Sequence, residues 1–387
     1  MRNKKFIAVG SQTVDNEDVA YVSAMLKDDF LTQGPQVEKF EQSLSSFLQA
    51  PYVSAMSSGS AALHIACKVF GCDQDTILYS SPITFVASQN AALHFGAKNQ
   101  FIDVNPSTGN MDITALEQTL AQSKAKNKII MPVHFAGLAC DLDEINALAK
   151  HYDAKVIEDA SHALGAKYKG KFIGATHAEH LVTLSFHPLK HITTAEGGAV
   201  TCMDSEQLQQ CNLYRSHGID KNIQTIEDQK GKLWHHEMHV LGFNYRMSEI
   251  HAALGVSQIK KLPTFLEKRK NMASVYSNQL KEVDCHLPST EADKEHAWLL
   301  YMIQVDFKSR KLDKNDFMLA LREKGIGSQV HNIPVYRQPY FIKLYGEQRH
   351  KFPGAEKFFE QTLSIPLHPG LTEEDQAYVV KTLKELL

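Results

Sequence analysis

The sequence holds no Cys-x-x-Cys pair. Its six cysteines are scattered, so neither a zinc site nor a disulfide framework is suggested. No apolar run approaches the roughly 20 residues of a membrane-spanning helix. The N-terminal run Phe6-Ile7-Ala8-Val9-Gly10 follows basic residues but is too short for a signal peptide, and a cytoplasmic location is expected. Lys and Arg number 41 against 44 Asp and Glu, a net charge of −3. That balance excludes a general attraction to nucleic acid or to an anionic membrane. A phosphorylated ligand must therefore be held locally, by single cations and helix N-termini. There is no internal repeat, no low-complexity stretch and no Walker-type Gly-Lys pairing, so a nucleoside triphosphate is not implied. The 19 histidines show no zinc-protease order around His235, His236, Glu237 and His239. His187 and His191 have helical spacing but sit in a loop, so no metal is expected.

What is present is a chain of 387 residues, 43% hydrophobic and 22% charged, ordinary for a soluble protein and long enough for two domains. Apolar residues at helical spacing predict helices over 15–27 and 36–48, the second carried by Val37, Phe40, Leu44 and Phe47. From 52 to 203, short apolar runs alternate with helical patterns. Strands are expected over 76–80, 99–104, 128–133, 156–158 and 181–186, and helices over 88–95, 113–123 and 142–151. That alternation predicts an α/β fold with a mainly parallel sheet. A long helix begins near 247, with Pro263 as a kink or break, and helix resumes over 265–280. Strands over 297–305 and 328–331 and a helix over 314–323 predict a smaller α+β domain. The expected division is 1–250 and 251–387. The polar, aromatic segment 220–240 reads as a loop near the site.

Three local patterns carry chemistry. Lys190 lies in the loop between the β-prone run Thr183-Leu184-Ser185-Phe186 and the run Ala199-Val200-Thr201-Cys202-Met203. A lysine held there can form a Schiff base if burial keeps its amine neutral, although a lysine after a strand is more often a surface residue. Asp159 ends the run Ala154-Lys155-Val156-Ile157-Glu158-Asp159, where open α/β sheets bind ligands. It can hold the pyridinium nitrogen of pyridoxal 5′-phosphate (PLP) protonated, or simply cap the next turn. Ser57-Ser58-Gly59-Ser60 precedes an apolar helix, and a helix start of small residues is a phosphate site as well as an ordinary N-cap.

The chain resembles the DegT/DnrJ/EryC1/StrS family of sugar-nucleotide aminotransferases. The matching stretches include Leu31-Thr32-Gln33-Gly34, Ser58-Gly59-Ser60-Ala61-Ala62-Leu63, Pro82-Ile83-Thr84-Phe85-Val86-Ala87-Ser88 and Pro132-Val133-His134-Phe135-Ala136-Gly137. They continue with Glu158-Asp159-Ala160-Ser161-His162, Ser185-Phe186-His187, Thr194-Ala195-Glu196-Gly197-Gly198, Arg215-Ser216-His217-Gly218 and Gly242-Phe243-Asn244-Tyr245-Arg246-Met247. The resemblance implies the type I fold of PLP-dependent transferases, with a three-layer α/β/α large domain. It implies that Lys190 holds PLP and moves the proton, and that Asp159 pairs with the ring nitrogen. Gly59, Ser60 and Ser185 would bind the phosphate and Phe85 would stack on the ring. His162 stands where many members carry glutamine against the ring hydroxyl. Asn244 would reach the phosphate from a neighbouring subunit, making a homodimer with shared active sites.

Arg246, Gln33, His331 and Tyr336 are the implied sugar-nucleotide contacts. The amino group would come from L-glutamate, leaving 2-oxoglutarate and pyridoxamine phosphate (PMP). Ile192-Thr193-Thr194-Ala195-Glu196-Gly197-Gly198, Leu254-Gly255-Val256-Ser257-Gln258-Ile259-Lys260-Lys261 and Gln329-Val330-His331-Asn332-Ile333-Pro334-Val335-Tyr336 are most similar to the branch that aminates C4 of a UDP-linked 4-keto-6-deoxy-N-acetylhexosamine. The alternatives are another keto sugar, of the perosamine or 4-amino-4-deoxy-arabinose type or aminated at C3, and a non-catalytic PLP-binding regulator. Dehydrating relatives carry histidine in place of the lysine, and Lys190 argues against that chemistry.

Overall fold

The computed structural model describes residues 6–27, 30–221 and 224–387. Its first helices are α1 (Asn16–Met25) and α2 (Pro35–Leu48). Asp15 caps α1 by accepting from the backbone N–H of Glu17 and Asp18, while Asp18 accepts in return from the N–H of Asp15. That reciprocal box satisfies donors which the helix itself cannot.

Strand β1 (Tyr52–Met56) leads into α3 (Gly59–Val69), and β2 (Thr76–Ser80) into α4 (Val86–Leu93). Then follow β3 (Lys98–Phe101), α5 (Ile113–Ala121), β4 (Asn127–Met131), α6 (Leu142–His151) and β5 (Lys155–Asp159). A small appendage, β6 (Lys167–Tyr168) and β7 (Lys171–Phe172), precedes β8 (Leu181–Ser185), β9 (Gly198–Cys202) and α7 (Ser205–Arg215). The seven-stranded sheet has the order β1-β9-β8-β5-β4-β2-β3. The pairs β2/β3, β2/β4, β4/β5 and β5/β8 are parallel, and only β9 runs against its neighbours β8 and β1.

Both faces of this sheet are covered, and side-chain alternation decides what meets what. Ile129, Met131 and Ile157 pack with Ala62, Ile65 and Ala66 of α3 and Ala91 and Ala92 of α4. Their neighbours Ile130 and Val156 face the other way, onto Leu116 and Leu120 of α5 and Ile145 and Ala149 of α6. Each such Leu or Ile contributes about 1.5–3 kcal/mol by leaving water.

The segment 220–240 is closed at its base by a short pair, β10 (Ile219–Asp220) with β11 (Glu237–Met238). Helix α8 (Glu249–Leu280) then runs unbroken through Pro263. The expected break does not occur. Leu262 and Phe265 on either side of the proline are buried in a core, and that packing outweighs the hydrogen bond the proline cannot make. The first half of α8 places Ala252, Val256, Ile259 and Leu262 in the core beneath β1, β8 and β9. Its second half places Ala273, Tyr276 and Leu280 in another core. There they meet β13 (Tyr301–Gln304), α9 (Lys314–Glu323), β14 (Thr362–Ile365) and the C-terminal helix Glu373–Leu386. Before these, β12 (Lys294–Glu295) pairs with β6. Of the strand expected over 328–331, the structure keeps a single bridge, Gln329 with Ser364. Among the described residues, no helix is long and apolar enough to cross a membrane.

Candidate active site

Three parallel strands end on one edge of the sheet: β1 at Met56, β5 at Asp159 and β8 at Ser185. Gly198, at the start of β9, pairs with both Ser185 and Met56. The turn after β1 folds back over it so closely that a Cβ on Gly198 would lie 2.4 Å from the carbonyl oxygen of Ser58. A Cβ on Gly59 would lie 2.8 Å from that of Ser185. Glycine at these two positions lets the first turn of α3 sit directly on Ser185. Ser58 caps the helix through Ala61 N–H at 3.1 Å. The N–H groups of Gly59 and Ser60 have no intrahelical acceptor, and the helix dipole makes this turn a place for an anion.

Asp159 is buried, 4% exposed. Its Oδ2 accepts from Ser88 Oγ at 2.6 Å and its Oδ1 from Ser161 N–H at 3.1 Å. Its backbone is fixed on both sides, N–H to Pro132 O at 2.9 Å and C=O from His134 N–H at 3.1 Å. Ser88 lies in the first turn of α4, whose N-cap is Phe85. Phe85 is 63% exposed and lines a cleft of about 320 Å³ with Ser58, Ser60, His64, Asn90 and Tyr245. Ser88 was not among the residues singled out in the sequence. Its only signal there is its place as the last residue of the Pro82–Ser88 motif, one helical turn after Phe85.

Lys190 follows β8 in a turn closed by its own N–H to His187 O at 2.8 Å. Desolvation pushes its amine down to about 8, against the opposing pull of Asp159. His162 is held well below its ordinary value by burial and by the nearby Lys190, His331 and His191. Its Nδ1 is buried without a hydrogen-bond partner. His331 accepts or donates at Nδ1 with Ser364 Oγ at 2.8 Å, and desolvation with the charge of Lys190 pushes it to about 4. Lys190 thus feels the charge of Asp159, and its own charge helps hold His162 and His331 in their neutral forms.

Segment 242–247 runs against the end of β1. Ser57 N–H donates to Tyr245 O at 2.9 Å, and Arg246 bridges Met56. Arg246 Nη1 donates to Ser216 Oγ at 3.2 Å, while its Nε is buried without a partner. Asn244 is exposed and bridges Ser216 through its backbone. Gln33 is also exposed, with a φ of 55°, in the turn before α2. Tyr336 is 1% exposed. Its ring stacks on Phe352 at 4.9 Å, and its hydroxyl donates to Glu356 at 2.7 Å.

The donor set suits PLP. An aspartate is available for a ring nitrogen, an amine of lowered basicity for an aldehyde carbon, and a helix N-terminus for a phosphate. The unpartnered Nδ1 of His162 is a polar atom still in need of a partner.

Comparison with known proteins gives the same direction. The DegT/DnrJ/EryC1/StrS aminotransferase family matches residues 12–384. A Campylobacter jejuni protein named UDP-4-amino-4,6-dideoxy-N-acetyl-β-L-altrosamine transaminase is 38% identical over 384 residues, 98% of this chain and 97% of that protein. Among solved structures, Helicobacter pylori PseC, an aminotransferase involved in the biosynthesis of pseudaminic acid, superposes with a TM-score of 0.90 at 30% identity, covering 99% of both chains. The putative sugar aminotransferase Spr1654 from Streptococcus pneumoniae, in its PMP form, also gives 0.90, at 26% identity over 98% of both chains.

Proposed function

Since the chain belongs to the DegT/DnrJ/EryC1/StrS aminotransferase family, we propose that it moves an amino group from L-glutamate to the C4 ketone of a UDP-linked 4-keto-6-deoxy-N-acetylhexosamine, UDP-2-acetamido-2,6-dideoxy-β-L-arabino-hex-4-ulose, in pseudaminic acid biosynthesis. The chain is a PLP-dependent sugar aminotransferase with the type I fold. The single observation that carries the reaction type is the placement of Asp159 at the end of β5 and of Lys190 just beyond the adjacent parallel strand β8, at one sheet edge. The substrate reading is supported by the similarity to the Campylobacter jejuni transaminase over nearly the whole chain.

In this reading Asp159 keeps the ring nitrogen protonated, and Ser88 holds the carboxylate in place. Bound PLP supplies the electron sink that makes the donor's α-proton removable. Lys190 would hold the cofactor through its Nζ and, once released, would serve as the base that takes up and returns the donor's α-proton. Gly59, Ser60 and Ser185 hold the phosphate, Phe85 lies against the ring, and His162 meets the ring hydroxyl. Asn244 and Arg246 serve the site of a partner subunit in a cytoplasmic homodimer, Asn244 at the cofactor phosphate and Arg246 at a phosphate of UDP. Gln33 and His331 contact the sugar nucleotide, whereas Tyr336, expected there from the sequence, is buried in a core with its hydroxyl on Glu356 and is not assigned to the substrate. We assign residues 1–250 to a cofactor-binding domain and 251–387 to a smaller one.

The test is turnover. The protein is incubated with PLP, L-glutamate and a panel of UDP- and dTDP-linked 4-keto sugars, and products are identified by mass and NMR. Amination at C4 of the UDP-N-acetylhexosamine in preference to the others is expected. Preferential amination of a dTDP sugar, or at C3, overturns the substrate reading.

A further inference from the structure

Glu158 and Asp159 are neighbours on β5, so their side chains leave opposite faces of the sheet. Asp159 turns toward Ser88. Glu158 turns away into the protein, where it is 0% exposed. A carboxylate so placed is costly unless it is paired and hydrogen-bonded. It is met on all sides. His134 Nε2 lies 2.8 Å from Oε2, His180 Nδ1 lies 2.7 Å from Oε1, and Thr176 Oγ1 donates at 3.3 Å. Burial would raise its carboxyl, but the bonds to His134 and His180 hold it well below the usual carboxylate range.

The network is itself anchored. Cys140 N–H donates to His134 Nδ1 at 3.0 Å. That nitrogen is therefore bare, and the proton sits on Nε2, facing Glu158. His180 Nε2 lies 3.3 Å from Asn146 Oδ1 on α6. The backbone of His134 donates to the carbonyl of Asp159 at 3.1 Å. One residue thus grips Asp159 through its main chain and Glu158 through its ring. Thr183 Oγ1 of β8 donates to Glu158 O at 3.1 Å, fixing the preceding peptide as well.

We propose that Glu158 is a positioning residue for the reaction: through His134 and His180 it fixes the end of β5, and so sets where the carboxylate of Asp159 meets the cofactor nitrogen. A fully hydrogen-bonded buried network defines one geometry, and an electrostatic partner of a cofactor works only when held to a fraction of an ångström. The inference rests on the reading of Asp159 given above.

The experiment is a double-mutant cycle on the full-length protein with Glu158→Gln and Asp159→Asn. It measures kcat, KM for the keto sugar, the dissociation constant of PLP from the apoprotein by fluorescence, and the apoprotein melting temperature. Glu158→Gln keeps the shape and removes the charge. It is expected to lower kcat and weaken PLP binding by about tenfold, the scale of a lost hydrogen bond to a charged group, with KM little changed. In the Asp159→Asn background it should add nothing to the loss of kcat, because the group it positions is already gone. Unchanged kcat and PLP affinity in a folded Glu158→Gln protein overturns the proposal. So does an equal loss in both backgrounds, which would make Glu158 act by another route. If Asp159→Asn alone leaves activity intact, the reading of Asp159 fails and the inference falls with it. Should Glu158→Gln not fold, His180→Gln, which removes one hydrogen bond at the rim of the network, takes its place in the same cycle, with an expected loss of about threefold and the same criteria.

Discussion

Ser88 Oγ donates to Asp159 Oδ2 at 2.6 Å, so the helix turn that presents Phe85 also holds the carboxylate beside Lys190. Two strand connections, β2 to α4 and β5 to the loop beyond it, are tied at the point where chemistry is expected. The hydroxyl satisfies part of a buried carboxylate without neutralising it, which leaves the charge free to act on a ligand.

The first prediction follows from that charge. Asp159→Asn should fold and still bind PLP, but lose transamination by roughly a hundredfold or more, the scale of a buried electrostatic partner. Ser88→Ala should cost about tenfold or more, since a hydrogen bond to a charged group is removed while the charge remains. Steady-state rates at saturating PLP check both. Near wild-type turnover of Asp159→Asn would remove the proposed role.

A second prediction concerns the lysine itself. Borohydride reduction of the PLP-loaded protein should fix the cofactor to Lys190, and a peptide map should show the label on the segment containing His187 to His191. A label on any other lysine would refute the assignment.

The third prediction is a pH dependence. Desolvation lowers the Lys190 amine to about 8. Below that pH it is mostly protonated and unreactive, and above it mostly neutral. The rate at which the apoprotein captures PLP, followed by visible absorption, should therefore rise with pH and reach half its plateau near pH 8. A half-point near the ordinary value of 10.5 would mean that the amine is not desolvated.

The fourth prediction is subunit complementation. Asn244 is exposed, and the Nε of Arg246 is buried without a partner, in a segment packed beside the end of β1. Lys190→Ala protein mixed with Asn244→Ala/Arg246→Ala protein, after reversible dissociation, should recover activity above either parent. Some mixed dimers then hold one complete site. With subunit exchange verified by mass, no recovery would show that the groups act within one chain.

The helix over 142–151 was legible in the sequence because acidic residues open it, basic ones close it and apolar ones recur at its period. Residues 76–80 read as a strand because apolar residues are bounded by turn signals. The direction of β9 was not legible. Ala199 to Cys202 has the same apolar composition whether it runs with or against β8, and only the long-range pairing of Gly198 with Ser185 and Met56 decides it. Pro263 misled because propensity is local, whereas the burial of Leu262 and Phe265 is set by distant strands. At the site, Lys190 and Asp159 stood out as single residues in telling surroundings. Ser88 did not, because a serine in a helix turn means nothing until the carboxylate 71 positions away is placed against it.

Helix α8 belongs to two hydrophobic cores, one formed with the large sheet and one with β13 and β14. Each core is sealed by one half of the same continuous helix, so unfolding either one frays the helix on which the other depends. Thermal unfolding should then be a single cooperative transition rather than two, with calorimetric and van't Hoff enthalpies in agreement. A chain cut near residue 250 would lose Ala252, Val256, Ile259 and Leu262 from beneath the sheet, and its N-terminal fragment should be recovered as aggregate rather than as a soluble unit.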